Sequence, residues 1–169
     1  AIFGENYWYQ HSNVWENLRL AQFVPQEILD ARARRRMLVS EDDFGHFALA
    51  LTAHDLLRAG TALQLGAHGQ LQGLGAHWEL WMLAQGGLTT LAAPRAAKLA
   101  GARYIGLDQD IGSLEPGKLA DLVVIDGNPL QDIRQSERIA MVMKNGVLYD
   151  ADLNEVWPVA RPVAPLRSR

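Results

Sequence analysis

The sequence predicts an α/β fold, and three observations predict it. Residues 41 to 59 carry apolar positions at helical spacing, Thr61-Ala-Leu-Gln-Leu65 is a short apolar run bounded by glycines, and a second helical pattern opens at Ala76. A helix feeding a short buried strand, then a glycine-rich turn into another helix, is one step of a wound α/β chain. Beyond Leu107 the texture changes to short strand-like runs and tight turns.

The 169 residues, 49% of them hydrophobic, suffice for one large domain or two small ones with a packed core. A net charge of −3 gives no long-range attraction to nucleic acid or to an anionic membrane, so neither is expected as a partner. The basic run Arg32, Arg34, Arg35 and Arg36 lies close to Asp30, Glu41, Asp42 and Asp43 and reads as a paired, solvated surface. The absence of cysteine excludes disulfides, thiolate zinc sites and a cysteine nucleophile. No apolar stretch approaches the roughly 18 residues of a membrane span, and the N-terminus lacks a signal-peptide pattern. A soluble protein is expected, with cytoplasm and periplasm both open. Because the chain starts at Ala1 and runs straight into a structured-looking segment, it is expected to be the later part of a longer polypeptide.

The first element is aromatic: residues 3 to 15 hold Tyr7, Trp8, Tyr9 and Trp15 among Glu5, Asn6 and His11. Such rings either line a ligand pocket or pin a loop to a core. Pro25 begins a short helical pattern with Ile28 and Leu29. Ser40 followed by Asp43 approximates a capping box, and Phe44, Phe47, Ala48 and Leu51 predict an amphipathic helix over 41 to 59, stopped by Gly60. His46 and His54 on it are eight positions apart, not the i, i+4 spacing of a helical metal pair, and read as surface or boundary histidines. Residues 61 to 65 read as a buried strand, and the helix from Ala76 ends at Gly86-Gly87. Thr89 is a candidate N-cap for the segment 90 to 104, which Pro94 should kink or delay.

Farther on, Glu115-Pro-Gly-Lys118 fits a type II turn. Leu119 to Ile125 reads as a strand buried on both faces, and Asn128-Pro129 as a break. Ile139 to Met143 and Val147 to Tyr149 flank Asn145-Gly146, a strong hairpin signal, and Glu155 to Trp157 adds one more strand. The last residues, 159 to 169, form a proline- and arginine-rich tail.

The chemistry-bearing stretch is Leu65-Gly-Ala-His68-Gly-Gln70, followed by Gly75-Ala-His77-Trp-Glu79. It gathers polar groups where a strand would end, which is where α/β enzymes place their reacting residues, and its glycines allow close approach of a ligand. His68 is the candidate catalytic residue. Gln70, His77 and Trp8 are candidate substrate contacts. The plain alternative is a glycine-rich connection carrying two surface histidines.

Residues 101 to 149 resemble the C-terminal region of the metal-dependent amidohydrolase superfamily. The likeness is strongest in Gly112-Ser-Leu-Glu-Pro-Gly-Lys118-Leu-Ala-Asp121-Leu-Val-Val124, with Asn128-Pro-Leu130 and Lys144-Asn-Gly146. The longer stretch from Gly4 to Tyr149 is most similar to the branch found fused behind a tricorn-protease-like propeller. The resemblance implies the last units of an incomplete TIM-like barrel over residues 1 to 107, the C-terminal strands of a small β-sandwich over 108 to 158, and a tail over 159 to 169. Leu63 to Leu65 should then be a strand delivering His68 to its carboxyl end, and residues 112 to 149 should not be helical.

By the same resemblance, His68 takes the position of an aspartate that binds metal and moves a proton in relatives. His68 is therefore also the candidate metal ligand. His77 and Glu79 are either supporting groups or structural. The implied activity is hydrolysis of carbon–nitrogen bonds, non-peptide or cyclic amides, with a divalent metal, zinc foremost, in the complete protein. One histidine does not supply the three protein ligands of a catalytic zinc, so the isolated chain is not expected to act alone or to hold the metal by itself. Expected partners are the missing N-terminal portion or a second copy, and a small-molecule substrate. The competing expectation is a non-catalytic binding or assembly module that presents residues 7 to 15.

Overall fold

The computed structural model describes residues 2–33, 38–67, 71 and 73–157. Expectations for Arg34 to Arg36, His68, Gln70 and the tail from 158 onward fall outside them. The chain divides into two compact units, residues 1–97 and 98–169. The first is helical and the second holds a small antiparallel sheet, so the chain is a mixed helix-and-sheet protein. No described helix is long and apolar enough to cross a membrane.

The first unit begins with α1 (Ile2–His11), a helix rather than the anticipated aromatic loop. Rings at 7, 8, 9 and 11 radiate in several directions from a helix, and each finds a neighbour. Tyr7 stacks on His11 one turn on, with centroids 3.9 Å apart. A turn at Val14–Glu16 leads into α2 (Leu18–Phe23), whose first turn is capped by Asn17, its side chain accepting from the Leu20 N–H at 2.9 Å. Pro25 precedes α3 (Gln26–Ala33), which buries Leu29 completely.

The segment predicted as one helix over 41–59 is a short 3₁₀ turn, Glu41–Asp43, followed by α4 (His46–Arg58). Ser40 donates to the Asp43 carboxylate at 2.8 Å, so its hydroxyl binds a side chain and not a backbone N–H. The buried side of α4 also differs from the prediction. His46 and Ala50 are buried, whereas Leu49 and Leu51 are 61% and 55% exposed. At the other end Gly60, at φ 92°, donates to the Leu57 carbonyl, and Thr61 donates to that of Leu56. This is a Schellman stop, which needs a residue that tolerates positive φ.

Residues 61 to 67 are the main departure. They form no strand, and Thr61 and Ala62 are exposed while Leu63 to Leu65 are half-buried. A strand exists only through its ladder partners. Among the described residues, every ladder lies in the second unit.

The helix α5 (Leu74–Gln85) is the centre of the first unit. It is apolar nearly all round, as a helix packed on several sides must be, and buries Leu74, Trp78, Leu80, Trp81 and Met82. Trp78 is fully buried. Removing about 150–250 Å² of ring from water stabilises by an upper bound of about 4–6 kcal/mol. Tyr9 meets Trp78 edge-on at 4.9 Å, and Trp8 meets Trp81 at 5.0 Å, joining α1 to α5. Against α4 the approach is so close that a Cβ at Gly86 would lie 2.6 Å from the Ala50 Cβ and collide with the Ala50 carbonyl.

Thr89 caps as predicted, its hydroxyl accepting from the Ala92 N–H at 3.1 Å. Pro94 does not end the helix. The chain passes through α6 (Ala92–Arg95), a wider π turn at Ala96–Ala100 and α7 (Gly101–Tyr104).

In the second unit, β1 (Leu122–Ile125), β2 (Ile139–Lys144), β3 (Val147–Asp150) and β4 (Glu155–Trp157) form an antiparallel meander in chain order. Lys144 pairs with Val147 across Asn145 and Gly146, at φ 51° and 79°, the type I′ hairpin that the dipeptide signalled. The helical part of residues 112–149 is limited to a short 3₁₀ turn at Ile133–Glu137. The first strand is shorter than predicted and open, with Val123 52% and Val124 40% exposed, so it is not buried on both faces.

The Gly112 to Val124 motif works structurally here. Gly117, at φ 95°, completes the turn in which Lys118 N–H reaches the Glu115 carbonyl at 3.2 Å. The Lys118 ammonium, its side chain 12% exposed, donates to the Asp108 carbonyl and the Ser113 hydroxyl, both at 2.6 Å. Asp121 accepts the Asn145 N–H at 2.6 Å, and Ala120 accepts that of Gly146 at 3.0 Å, which ties the motif to the hairpin.

Candidate functional site

The described part of the candidate site lies where segment 61–67 meets α5. Leu65 N–H reaches the Ala96 carbonyl at 3.4 Å, and Gly66 N–H points at the Glu79 carboxylate, 3.2 and 3.1 Å from its two oxygens. Glu79 is held above its ordinary acidity range by burial, opposed by the Gly66 hydrogen bond. His77, two residues earlier on the same helix, is half-buried, and burial lowers its pKa below the usual imidazole value. A histidine held neutral in this way can accept one hydrogen bond and donate another without carrying charge.

Of the residues singled out by sequence, His68 and Gln70 lie outside the described residues. Trp8 is 5% exposed, turned inward from α1 against Trp81. Trp81 follows His77 by one turn of α5, so Trp8 and His77 both belong to the helical unit around α5.

A second group gathers between α1 and α4, and sequence reasoning passed over it. His46, expected at the surface or its boundary, is 4% exposed. Its Nε2 faces Gln85 Oε1 at 3.1 Å and its Nδ1 has no partner. Burial lowers its pKa, opposed by the Gln85 hydrogen bond and by Glu41. His11 lies nearby with Nδ1 2.7 Å from the Tyr7 carbonyl and Nε2 2.5 Å from a Glu41 oxygen. Tyr7 ties the group together, with ring centroids 4.8 Å from His46, 5.2 Å from Phe44 and 5.3 Å from Phe47. The i, i+4 spacing of Tyr7 and His11 hinted at part of this cluster, and the Ser40–Asp43 signal marked the turn at 41–43 without showing that it brings Glu41 to His11.

Among the described residues, no three His, Cys, Asp or Glu side chains converge in a way that could hold a metal ion. These described residues alone do not form a metal site.

Residues 70–149, 80 of the 169, match the model of the amidohydrolase family. Guanine deaminase of Escherichia coli (strain K12) is 32% identical over 105 residues, covering 59% of this chain and 24% of its own length. The chain thus spans about a quarter of this curated relative. Among solved structures, a Xaa-Pro dipeptidase with methionine bound in its active site superposes with a TM-score of 0.57 at 22% identity, over 78% of this chain and 33% of that one. At that identity the likeness is one of fold. A Bifidobacterium longum protein described as a prolidase gives 0.51 at 32% identity, over 72% of this chain and 28% of that one. Residues 70 to 149 are thus similar to the amidohydrolase family, and the relatives named above carry the names of a deaminase and a prolidase.

Proposed function

We propose that this chain supplies the C-terminal part of a metal-dependent hydrolase of carbon–nitrogen bonds, non-peptide or cyclic amides among them. The carrying observation is the family match over residues 70–149, which begins beside His68 and runs through the hairpin. The likeness to a deaminase and to a protein described as a prolidase supports the bond type, since both names denote attack on carbon attached to nitrogen. On this reading residues 1–107 belong to the last units of a barrel completed by the rest of the polypeptide, and residues 108–158 are strands of a small sandwich. The propeller-associated branch is the proposed subgroup.

His68 is the proposed catalytic and metal-binding contribution, with Gln70 and His77 toward a small-molecule substrate, while Trp8, buried against Trp81, serves packing instead of the substrate contact expected of it. The metal, zinc foremost, would supply an activated water in the complete protein. The proposed macromolecular partner is the remaining portion of the polypeptide or a second copy. Leu18, Leu38 and Leu49, 85%, 77% and 61% exposed, support such a covering. The alternative, a binding module presenting residues 7 to 15, loses contact area because Trp8 and Tyr9 are 5% and 4% exposed.

The test uses the complete polypeptide containing this chain, purified with its metal content measured and incubated with panels of linear amides, cyclic amides and lactones. Hydrolysis of a carbon–nitrogen substrate that falls with chelation and returns with zinc is expected. A metal-free, inert protein would contradict the proposal.

A further inference from the structure

The Asn145-Gly146 tip of the β2–β3 hairpin is chemically labile as well as suited to its turn. Asparagine is a thermolabile residue, and a following glycine has no Cβ to obstruct the loss of its side-chain amide. In that reaction the Gly146 backbone nitrogen gives up its proton to a solvent base and attacks the Asn145 Cγ. Ammonia leaves and a five-membered succinimide closes. Water then opens the ring at either carbonyl and yields aspartate or isoaspartate, so one water is consumed and one ammonia released. No steric obstacle protects the site, since a Cβ at Gly146 would meet nothing within 4 Å. The obstacle is the backbone. Gly146 N–H donates to the Ala120 carbonyl at 3.0 Å, so the nitrogen that must lose its proton is already engaged. Asn145 N–H donates to the Asp121 carboxylate at 2.6 Å. Both acceptors come from consecutive residues just before β1 (Leu122–Ile125). The hairpin does not need them for its shape: an Asn-Gly type I′ turn is set by positive φ at both residues, 51° and 79° here, and by the Lys144–Val147 pair.

We propose that Asn145 is a latent deamidation site, kept intact because the Ala120 carbonyl and the Asp121 carboxylate clamp the two amides of the turn. The tip must come off Ala120 before Gly146 can react, so the rate follows the fraction of molecules in which it is open. The clamp also holds the turn's dihedrals. A type I′ turn sets ψ of its first central residue near about +30°, and ring closure has to swing the Gly146 nitrogen well away from that position, toward the Asn145 side chain. Reaction would harm the hairpin in two ways. Isoaspartate routes the main chain through the side-chain Cβ, adding one atom between Lys144 and Val147, which pair across the turn, and so disturbs the register of β2 on β3. Either product also puts a negative charge on the residue whose N–H the Asp121 carboxylate holds, and like charges at such range repel.

The test follows conversion of Asn145 to the acid in the 169-residue chain by peptide-mapping mass spectrometry, folded and in urea, with hydrogen exchange at the Gly146 amide read in parallel. Folding should slow deamidation by about tenfold or more, the scale of a broken hydrogen bond that gates the reaction. Exchange at Gly146 should be slowed by the same factor within about threefold, because one opening frees the N–H for both processes. Asp121→Ala should lower both protection factors by about 3- to 10-fold, and Asp121→Asn, whose amide oxygen can still accept, should keep most of both. Deamidation as fast in the folded chain as in urea overturns the proposal. Slow deamidation beside an unprotected Gly146 amide overturns it too, since the protection then lies elsewhere. A folded Asp121→Ala with both wild-type rates removes Asp121 from the clamp. If Asp121→Ala does not fold, agreement of the two wild-type factors supports the clamp and disagreement overturns it.

Discussion

His46 and His77 are two imidazoles whose burial favours the neutral form, each with its pKa lowered from 6.5. In the unfolded chain both return toward that value. Between the lowered folded pKa and 6.5 the unfolded state binds more protons, so unfolding becomes easier as pH falls through that window. Their contribution is fully present above 6.5 and levels off below the folded values. Urea midpoints measured between about pH 5 and 8 should therefore fall on the acid side, and a His46→Gln, His77→Gln double variant should show a shallower fall. Equal slopes in the two proteins would contradict this. The burial of His46 was not legible, because a histidine among apolar residues on α4 fits either side of a helix. Glu79 was equally silent. A glutamate in a helix normally reads as solvated, and its partner, a backbone N–H thirteen residues earlier, leaves no trace in residue identity.

At the scale of elements, the ends were more legible than the faces. Gly60, Gly86-Gly87, Pro116-Gly117 and Asn145-Gly146 each mark a place where the backbone needs a conformation that few residues adopt, so the local sequence carries the answer. The buried face of α4 depends instead on what approaches it. Apolar residues occur on both sides, and Ala50 is chosen because Gly86 at the end of α5 comes so close. Gly86 has φ −79°, so alanine there suffers no backbone penalty and the effect is purely steric. Gly86→Ala should lower stability by about 1–3 kcal/mol, read from denaturant midpoints at constant slope. A neutral or stabilising result would show that α4 and α5 pack less tightly than described. Strand status at 61–65 was illegible for the opposite reason. Short apolar runs bounded by glycine suit a strand, but a strand needs partners that local sequence does not name.

For the whole molecule, the two units carry different kinds of information. Residues 98–169 were the more legible, since turn chemistry and the Gly112 to Val124 motif specify the meander and its anchoring. Lys118 and Asp121 of that motif hold turns and the hairpin together, so the motif marks a family while serving structure. Residues 1–97 carry the candidate chemistry, but their packing rests on contacts between Trp8, Tyr9, Trp78 and Trp81 far apart in sequence. The chain spans a quarter to a third of the proteins it resembles, so activity belongs to the complete polypeptide as a proposal. The most direct measurement is the turnover and bound metal of that polypeptide with and without His68→Ala. The account predicts that the substitution lowers kcat/KM by about 100-fold or more, or strips the metal, while the melting temperature stays close to wild type. Wild-type turnover with full metal content in His68→Ala would contradict it.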